Sequence, residues 1–330
     1  MNPAIFNHLR TNVPFVRVFV AGATGVLGRR IVRQLSGRGH AVVGGVRDEK
    51  GARTVLALGG DPKEVDLFNV DSLAKAAEGA EVVIRAATAI PTKLRPSSRD
   101  WALNDRVRRD GTRALLEAVA RVGAHAFLQE SVVWAVGSAD GAPFDEDAPP
   151  SGNPVLASAL DAERIGREEG ERLGLASGVL RLGGFYAANG WHTRIMGESL
   201  LRRRPAMIGP GTNVWSMIHV DDAAGAFVTA AETPRSGVWH IVDDRPTALV
   251  DLLSAMARRL GADPPRGMPG GLARLVLGRY VSGLLSASFR TSNARFRRDF
   301  GWRPRFPTIE EGLDEVVAAW REQGFPPRRS

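Results

Sequence analysis

VRVFVAGATGVLGRRIVRQL, residues Val16 to Leu35, reads as a strand, a tight glycine turn and a helix. Val16 to Val20 is a short β-branched and aromatic run, and Leu27, Ile31, Val32 and Leu35 then recur at helical spacing. Between them stands Gly22-Ala23-Thr24-Gly25-Val26-Leu27-Gly28. Glycine suits the point where the chain reverses and where backbone must come close to a ligand. The helix that follows offers free N–H groups and the positive end of its dipole, an arrangement that receives a pyrophosphate. We therefore expect a dinucleotide site with contacts from Gly22, Thr24, Gly25, Val26, Leu27 and Gly28.

Working outward, 330 residues with 44% hydrophobic content suffice for one large α/β domain plus a smaller lobe. The net charge of +8 would ordinarily suggest a polyanionic partner. Acidic and basic residues are interspersed, however, and Arg202-Arg203-Arg204 is the longest basic run, so we expect no nucleic acid. The absence of cysteine excludes disulfides, thiolate nucleophiles and the usual zinc clusters, and no metal site is expected. Met1 to Asn12 carries His8 and Arg10 and lacks a long apolar core, so it does not resemble a signal peptide. The apolar stretch Leu272 to Phe289 is interrupted by Arg274 and Arg279 and is too short and charged to span a membrane. A cytoplasmic location is the expectation.

Past the first helix, His40 to Val46 is a second buried run that ends at Arg47. An arginine there faces the 2′-phosphate of NADP, whereas an acidic residue would take the 2′-hydroxyl of NAD. Arg47 thus favours NADP(H), with NAD(H) kept open by Asp48. Glu64 to Leu67 is expected as a strand that sets Asp66 and Leu67 beside the adenine, with Asp71 capping a helix from Ser72. Glu81 to Ala86 is the fourth strand, and Ala86, Ala87 and Thr88 are small enough to let the chain pass the cofactor. A helix from about Asp100 to Val122 should bury Trp101, Leu103, Val107, Leu115, Leu116 and Val119. The fifth strand, Ala126 to Ser131, leads into a long loop from Val132 to Leu156. A helix from Ala157 to Leu173 carries enough charge to read as mainly solvated, and Gly178 to Leu182 is the sixth strand. This alternation predicts a Rossmann-type, doubly wound parallel sheet with ligands at the strands' carboxyl ends. We assign residues 1–183 to that domain, with 215–243 returning to it, and 184–330 mainly to a substrate-binding lobe. Tyr186, Trp191 and His192 fall in a loop, and Asp221 or Asp222 caps a following helix.

These residues resemble the extended or atypical short-chain dehydrogenase/reductases, the NAD(P)-dependent epimerase/dehydratase family. The likeness rests on GATGVLG at Gly22 to Gly28, Asp66-Leu67, EVVIRAAT at Glu81 to Thr88, DGTRALLEA at Asp110 to Ala118, RLGGFY at Arg181 to Tyr186, IHVDDAAGAF at Ile218 to Phe227 and FGWRPRF at Phe300 to Phe306. The resemblance implies a catalytic tyrosine and a lysine four residues later, assisted by a serine or threonine at the end of the fifth strand. Matched through PVLASALDAE, those positions hold Val155 and Ala159, and the serine position holds Val132 with Ser131 one place earlier. No other register restores the pair, because no lysine follows Lys93 and the only tyrosines are Tyr186 and Tyr280.

Proton transfer must then come from elsewhere. Ser131, Tyr186 and His192 are the candidate catalytic groups, alone or through a water they hold, and Ser131 is also a candidate cofactor contact. Trp134 and Trp191 could wall an apolar or aromatic substrate. We expect an oxidoreductase or epimerase-like enzyme acting on a small carbonyl or alcohol. The alternatives are a non-catalytic NADP(H) sensor resembling NmrA, or a lyase or cyclase that keeps the fold as scaffold. The common dimer of the family would desolvate the charged helix at Ala157 to Leu173, so a monomer or a homodimer through another surface is expected.

Overall fold

The computed structural model describes residues 15–93, 96–137 and 141–325; Met1 to Asn12 lies outside them. The chain alternates β1 (Arg17–Ala21), α1 (Gly28–Gly37), β2 (Ala41–Val46), α2 (Glu49–Ala57), β3 (Asp61–Glu64), α3 (Val70–Ala76), β4 (Val82–Arg85), α4 (Ser98–Val122), β5 (Ala126–Val132), α5 (Ala157–Arg172) and β6 (Ala176–Leu182). Beyond β6 come β7 (Gly184–Tyr186), α6 (Trp191–Leu201), β8 (Pro205–Ile208), β9 (Val214–Trp215), β10 (Met217–His219), α7 (Val220–Glu232) and β11 (Gly237–Ile241). The chain closes with β12 (Thr247–Ala248), α8 (Leu249–Leu260), β13 (Arg266–Met268), α9 (Gly270–Leu277), α10 (Arg279–Ser286), α11 (Ala294–Phe300) and α12 (Ile309–Glu322).

Seven strands form one sheet in the order β11-β6-β5-β4-β1-β2-β3, and every neighbouring pair is parallel. Helices cover both faces, so the central strands are apolar on both sides rather than alternating. On one face Ile31, Val32 and Leu35 of α1 meet Ala223, Ala226, Phe227 and Ala230 of α7 over Val18, Val20 and Leu128. On the other, Leu73, Leu115, Leu116 and Val119 pack over Phe19, Val83 and Phe127. A third cluster, with Leu252, Leu253, Leu313, Val317 and Trp320, is the core of the smaller lobe. The strand order reverses between β1 and β4, which puts the ligand crevice of such a sheet beside the Gly22 to Gly28 turn. Among the described residues no helix is long and apolar enough to cross a membrane.

Several boundaries differ from the sequence reading. β3 is Asp61–Glu64, so Asp66 and Leu67 lie in the turn beyond it, where Asp66 Oδ1 accepts from the Phe68 amide at 2.9 Å. Asn69, not Asp71, caps α3, accepting from the Ser72 amide. Leu103 is exposed and Trp101 half-buried, whereas Val107, Leu115, Leu116 and Val119 are buried. α6 begins at Trp191, so Trp191 and His192 stand on a helix rather than in a loop. His219 caps α7 by accepting from the Asp221 amide, which frees Asp221 to pair with Arg30 at 2.6 Å and Asp222 to accept from the Arg305 and Phe306 amides. α5 is not simply a solvated face: Glu163 is fully buried against the sheet.

Candidate functional site

The glycine turn is dictated by close approach. Gly22 has φ +86°, and a Cβ there would stand 2.6 Å from the Ala87 amide nitrogen. A Cβ on Gly28 would meet the Gly22 carbonyl oxygen at 2.1 Å, so the first turn of α1 sits directly on the loop. Gly25 is exposed, and its amide donates back to the Gly22 carbonyl at 3.0 Å. Leu27 holds the N-cap position of α1 with no side-chain oxygen to cap it. A helix start without a cap leaves amide donors for an outside acceptor. Thr24, Gly25, Val26, Leu27 and Gly28 thus form one rim, and Ala86, Ala87 and Thr88 form the other. These residues fit a dinucleotide. At the end of β2, Arg47 is exposed and makes no ion pair among the described residues. Asp48 is occupied as the N-cap of α2, where its Oδ1 accepts from the Gly51 amide at 2.7 Å. Leu67 packs against Gly111 of α4, and Asp66 lies beside it.

The three candidate proton donors are not brought together. Ser131 is buried, and its hydroxyl donates to Glu163 Oε1 at 2.5 Å. Glu163 is in turn forked by Arg181, whose Nη2 lies 2.7 Å from Oε2 and whose Nε lies 3.0 Å from Oε1. Tyr186 belongs to the core of the smaller lobe, edge-on to His219 at 5.2 Å between ring centres. Among the described residues its hydroxyl has no hydrogen-bond partner, and it packs on Gly312 of α12, where a Cβ would stand 2.1 Å from the oxygen. Burial and the nearby Asp243 and Asp222 carboxylates push the phenol far above its ordinary range. His192 is half-buried, and its Nε2 donates to the Phe185 carbonyl. Burial, opposed only in part by that bond, lowers its basicity, so the ring is neutral near pH 7.

The positions where the resemblance calls for the proton-moving groups are apolar in their surroundings as well as their identity. Ala159 is buried with Ala135 and Leu156, and Val132, Trp134, Leu160 and Leu284 pack against them. Trp134 also stacks on Phe289 at 5.7 Å and meets Trp215 at 5.4 Å, so an aromatic wall joins the sheet to the smaller lobe.

The sequence reading missed a set of buried charges at the carboxyl ends of β4 and β5. Arg85 is 1% exposed; its guanidinium donates to the Ala87 carbonyl, to Glu130 Oε1 at 3.1 Å and to the Glu130 carbonyl at 2.8 Å. Asn104 on α4 accepts from the Ala89 amide at 3.0 Å, and Arg108 lies one turn further along the same helix face. The signal was in plain view: a lone arginine closing the apolar run Val82 to Ile84, and Asn104 and Arg108 in line with Leu115 and Val119.

The strand order and this glycine-turn cradle are those of a dinucleotide-binding α/β fold. The NAD dependent epimerase/dehydratase family matches residues 18–242, and the chain belongs to that family. It is 33% identical over 313 residues to the 3-diazoavenalumate denitrifying reductase of a Streptomyces species, covering 90% of this chain and 99% of that one. It is 26% identical over 347 residues to the 4-hydroxy-2-methyl-3-oxo-4-farnesyl-3,4-dihydroquinoline-1-oxide ketoreductase of Stigmatella aurantiaca, covering 96% and 100%. A solved dTDP-glucose 4,6-dehydratase from Streptomyces venezuelae, with NAD bound, superposes with a TM-score of 0.76 at 22% identity, over 93% of this chain and 98% of that one.

Proposed function

We propose that the protein is an NADP(H)-dependent reductase of a small electron-poor substrate, either a carbonyl compound whose proton comes from water or a diazonium compound in which hydride replaces dinitrogen. One observation carries this reading: the dinucleotide cradle is complete, while Val132, Val155 and Ala159 stand where a serine, tyrosine and lysine would move protons. When bound, the cofactor supplies hydride. Oxidising an alcohol needs a base for its hydroxyl proton, and none stands at those positions. Reduction is more tolerant, since losing a general acid typically costs about 10² to 10⁴ in rate. A diazonium group carries its own positive charge and leaves as dinitrogen, so it asks for no protein acid; a carbonyl takes its proton from water. The name of the Streptomyces relative and the ketoreductase name of the Stigmatella one support a reductive direction.

This chain's residues do the holding. Gly22 to Gly28 and the α1 terminus take the pyrophosphate, Arg47 the 2′-phosphate, Asp66 and Leu67 the adenine, and Ala86 to Thr88 line the passage toward nicotinamide. Residues 1–183 with 215–243 are the cofactor domain, and the rest of 184–330 is the substrate lobe. Ser131, Tyr186 and His192 act at most through water, because Ser131 is bonded to Glu163, Tyr186 is packed on Gly312 and His192 is neutral and bonded to Phe185.

The test is loss of NADPH absorbance with a panel of activated ketones and aryl diazonium salts. Turnover should persist in Ser131→Ala, Tyr186→Phe and His192→Ala, and a sharp fall in one of them would assign that residue as the donor. The apolar positions equally suit a second reading, a non-catalytic sensor of NADP redox state. Tight NADP(H) binding with no turnover on any acceptor, and unequal affinity for the two redox forms, would put that reading first. In calorimetry, NADPH should bind more tightly than NADH by about 1.5 to 3 kcal/mol, the worth of a charge-assisted hydrogen bond. Arg47→Ala should erase that difference; equal affinities in the parent protein would remove the role of Arg47.

A further inference from the structure

Arg108 is a buried arginine that the dinucleotide cradle does not use. It is 2% exposed, its Nε has no hydrogen-bond partner, and it makes no ion pair among the described residues. The Arg109–Asp161 pair, 2.7 Å long, ties α4 to α5 and sets Arg108 level with the first turns of α5, Ser158 to Ala162. That is the level of Ala159, where the resemblance calls for a lysine. Three further donors are buried without a partner among the described residues: Asn104 Nδ2, one turn before Arg108 on α4, Ser158 Oγ in the first turn of α5, and Arg85 Nε at the end of β4. Arg85 and Arg108 are close enough to repel each other. Glu130 is paired with Arg85 and Glu163 with Arg181, which leaves Arg108 without a carboxylate partner among the described residues.

The cluster adjoins the cofactor cradle through backbone. Asn104 holds the Ala89 amide and Arg85 holds the Ala87 carbonyl, while Ala87 lies against Gly22. A buried cation without a partner is costly unless an anion comes to it. The guanidinium fork matches a carboxylate, to which it can give two parallel hydrogen bonds. We propose that Arg108, with Asn104 one turn away on the same face of α4, receives the carboxylate of an acidic substrate and holds that substrate at the carboxyl ends of β4 and β5. The pyrophosphate of the cofactor is provided for separately at α1. The assignment rests on the reductase reading and names its substrate class: small organic acids.

The test uses the NADP⁺-loaded protein and four probes in calorimetry: benzoate, 3-phenylpropionate and their primary amides. At least one acid should bind about tenfold or more tightly than its amide, the scale of a charge-assisted pair. Arg108→Met should abolish that preference and Arg108→Lys should keep part of it. NADPH affinity and the thermal midpoint of Arg108→Met should stay at or above the parent values, because no native ion pair is lost. Equal binding of acid and amide, no binding of either acid, or a preference that survives Arg108→Met would overturn the assignment. A lowered midpoint together with lost NADPH affinity would make Arg108 a structural support and also overturn it. Should the parent protein fail to bind NADPH, the cofactor reading falls, and the acid–amide comparison on the free protein still judges Arg108.

Discussion

Replacing Glu163 by alanine removes the centre of a buried network that the sequence reading took for solvated helix surface. The Arg181 guanidinium gives Glu163 three hydrogen bonds, at 2.7, 3.0 and 3.2 Å, and the Ser131 hydroxyl gives a fourth. Side-chain exposure of the pair is 8% for Arg181 and 3% for Glu163, so water cannot take over the lost contacts. Among the described residues the other hydrogen-bond partner of Arg181 is the Glu146 carbonyl at 2.8 Å, which accepts a hydrogen bond but brings no charge. Breaking a buried pair by removing one partner costs about 3 to 5 kcal/mol, because the other charge stays behind uncompensated. Against a total stability of roughly 5 to 15 kcal/mol, that is a large fraction. The double variant Glu163→Leu with Arg181→Met removes both charges together and should recover most of the loss, since a well-packed apolar pair is often neutral or better. Urea unfolding of the parent, single and double variants gives the comparison directly. A single variant that loses less than about 1 kcal/mol would mean that the pair is solvated like an ordinary surface bridge. A double variant as unstable as the single one would refute the charge argument and leave packing as the cause.

Other consequences can be measured separately. Gly22→Ala should abolish NADPH binding, because the new methyl would meet Ala87 backbone at 2.6 Å in a left-handed conformation; unchanged affinity in calorimetry would show that the turn yields. Burial, opposed by the Arg245 amide, pushes the Asp243 carboxyl up to about 8, above an unfolded value of about 3.9. Its contribution is therefore fully present below the unfolded value and is lost as pH rises toward 8, so Asp243→Asn should flatten the fall in stability between pH 5 and 8. An undiminished slope in that variant would assign the fall to other groups. The outer face of α5 carries Arg164, Arg167, Glu168 and Glu171 exposed, with Arg164 paired to Glu168. Sedimentation should show a monomer, or a dimer unaffected by Arg167→Glu with Glu171→Arg; a dimer dissociated by those changes would place α5 in the interface.

The parallel sheet and its glycine turn were legible because they follow from local rules. Apolar runs between helical periods, and glycines spaced through a strand-to-helix turn, impose their geometry whatever surrounds them, and Val16 to Leu35 alone carried that reading. The position of Arg47 and Asp48 just past the end of β2 was legible for the same reason. The missing tyrosine and lysine could likewise be read off directly, because Val155 and Ala159 are identities rather than contacts. What the sequence could not give was partnership across distance. Glu163 looked solvated among the other charges of its helix until β5 and β6 brought Ser131 and Arg181 against it, from 32 and 18 residues away. Tyr186 and His192 looked free beside a strand end, yet the fold set one against Gly312 and bonded the other to Phe185. Arg85, Asn104 and Arg108 are unremarkable letters in a strand and a helix. Only the packing of α4 over β4 and β5 buries them together, and burial turns a common charge into one that must find a partner.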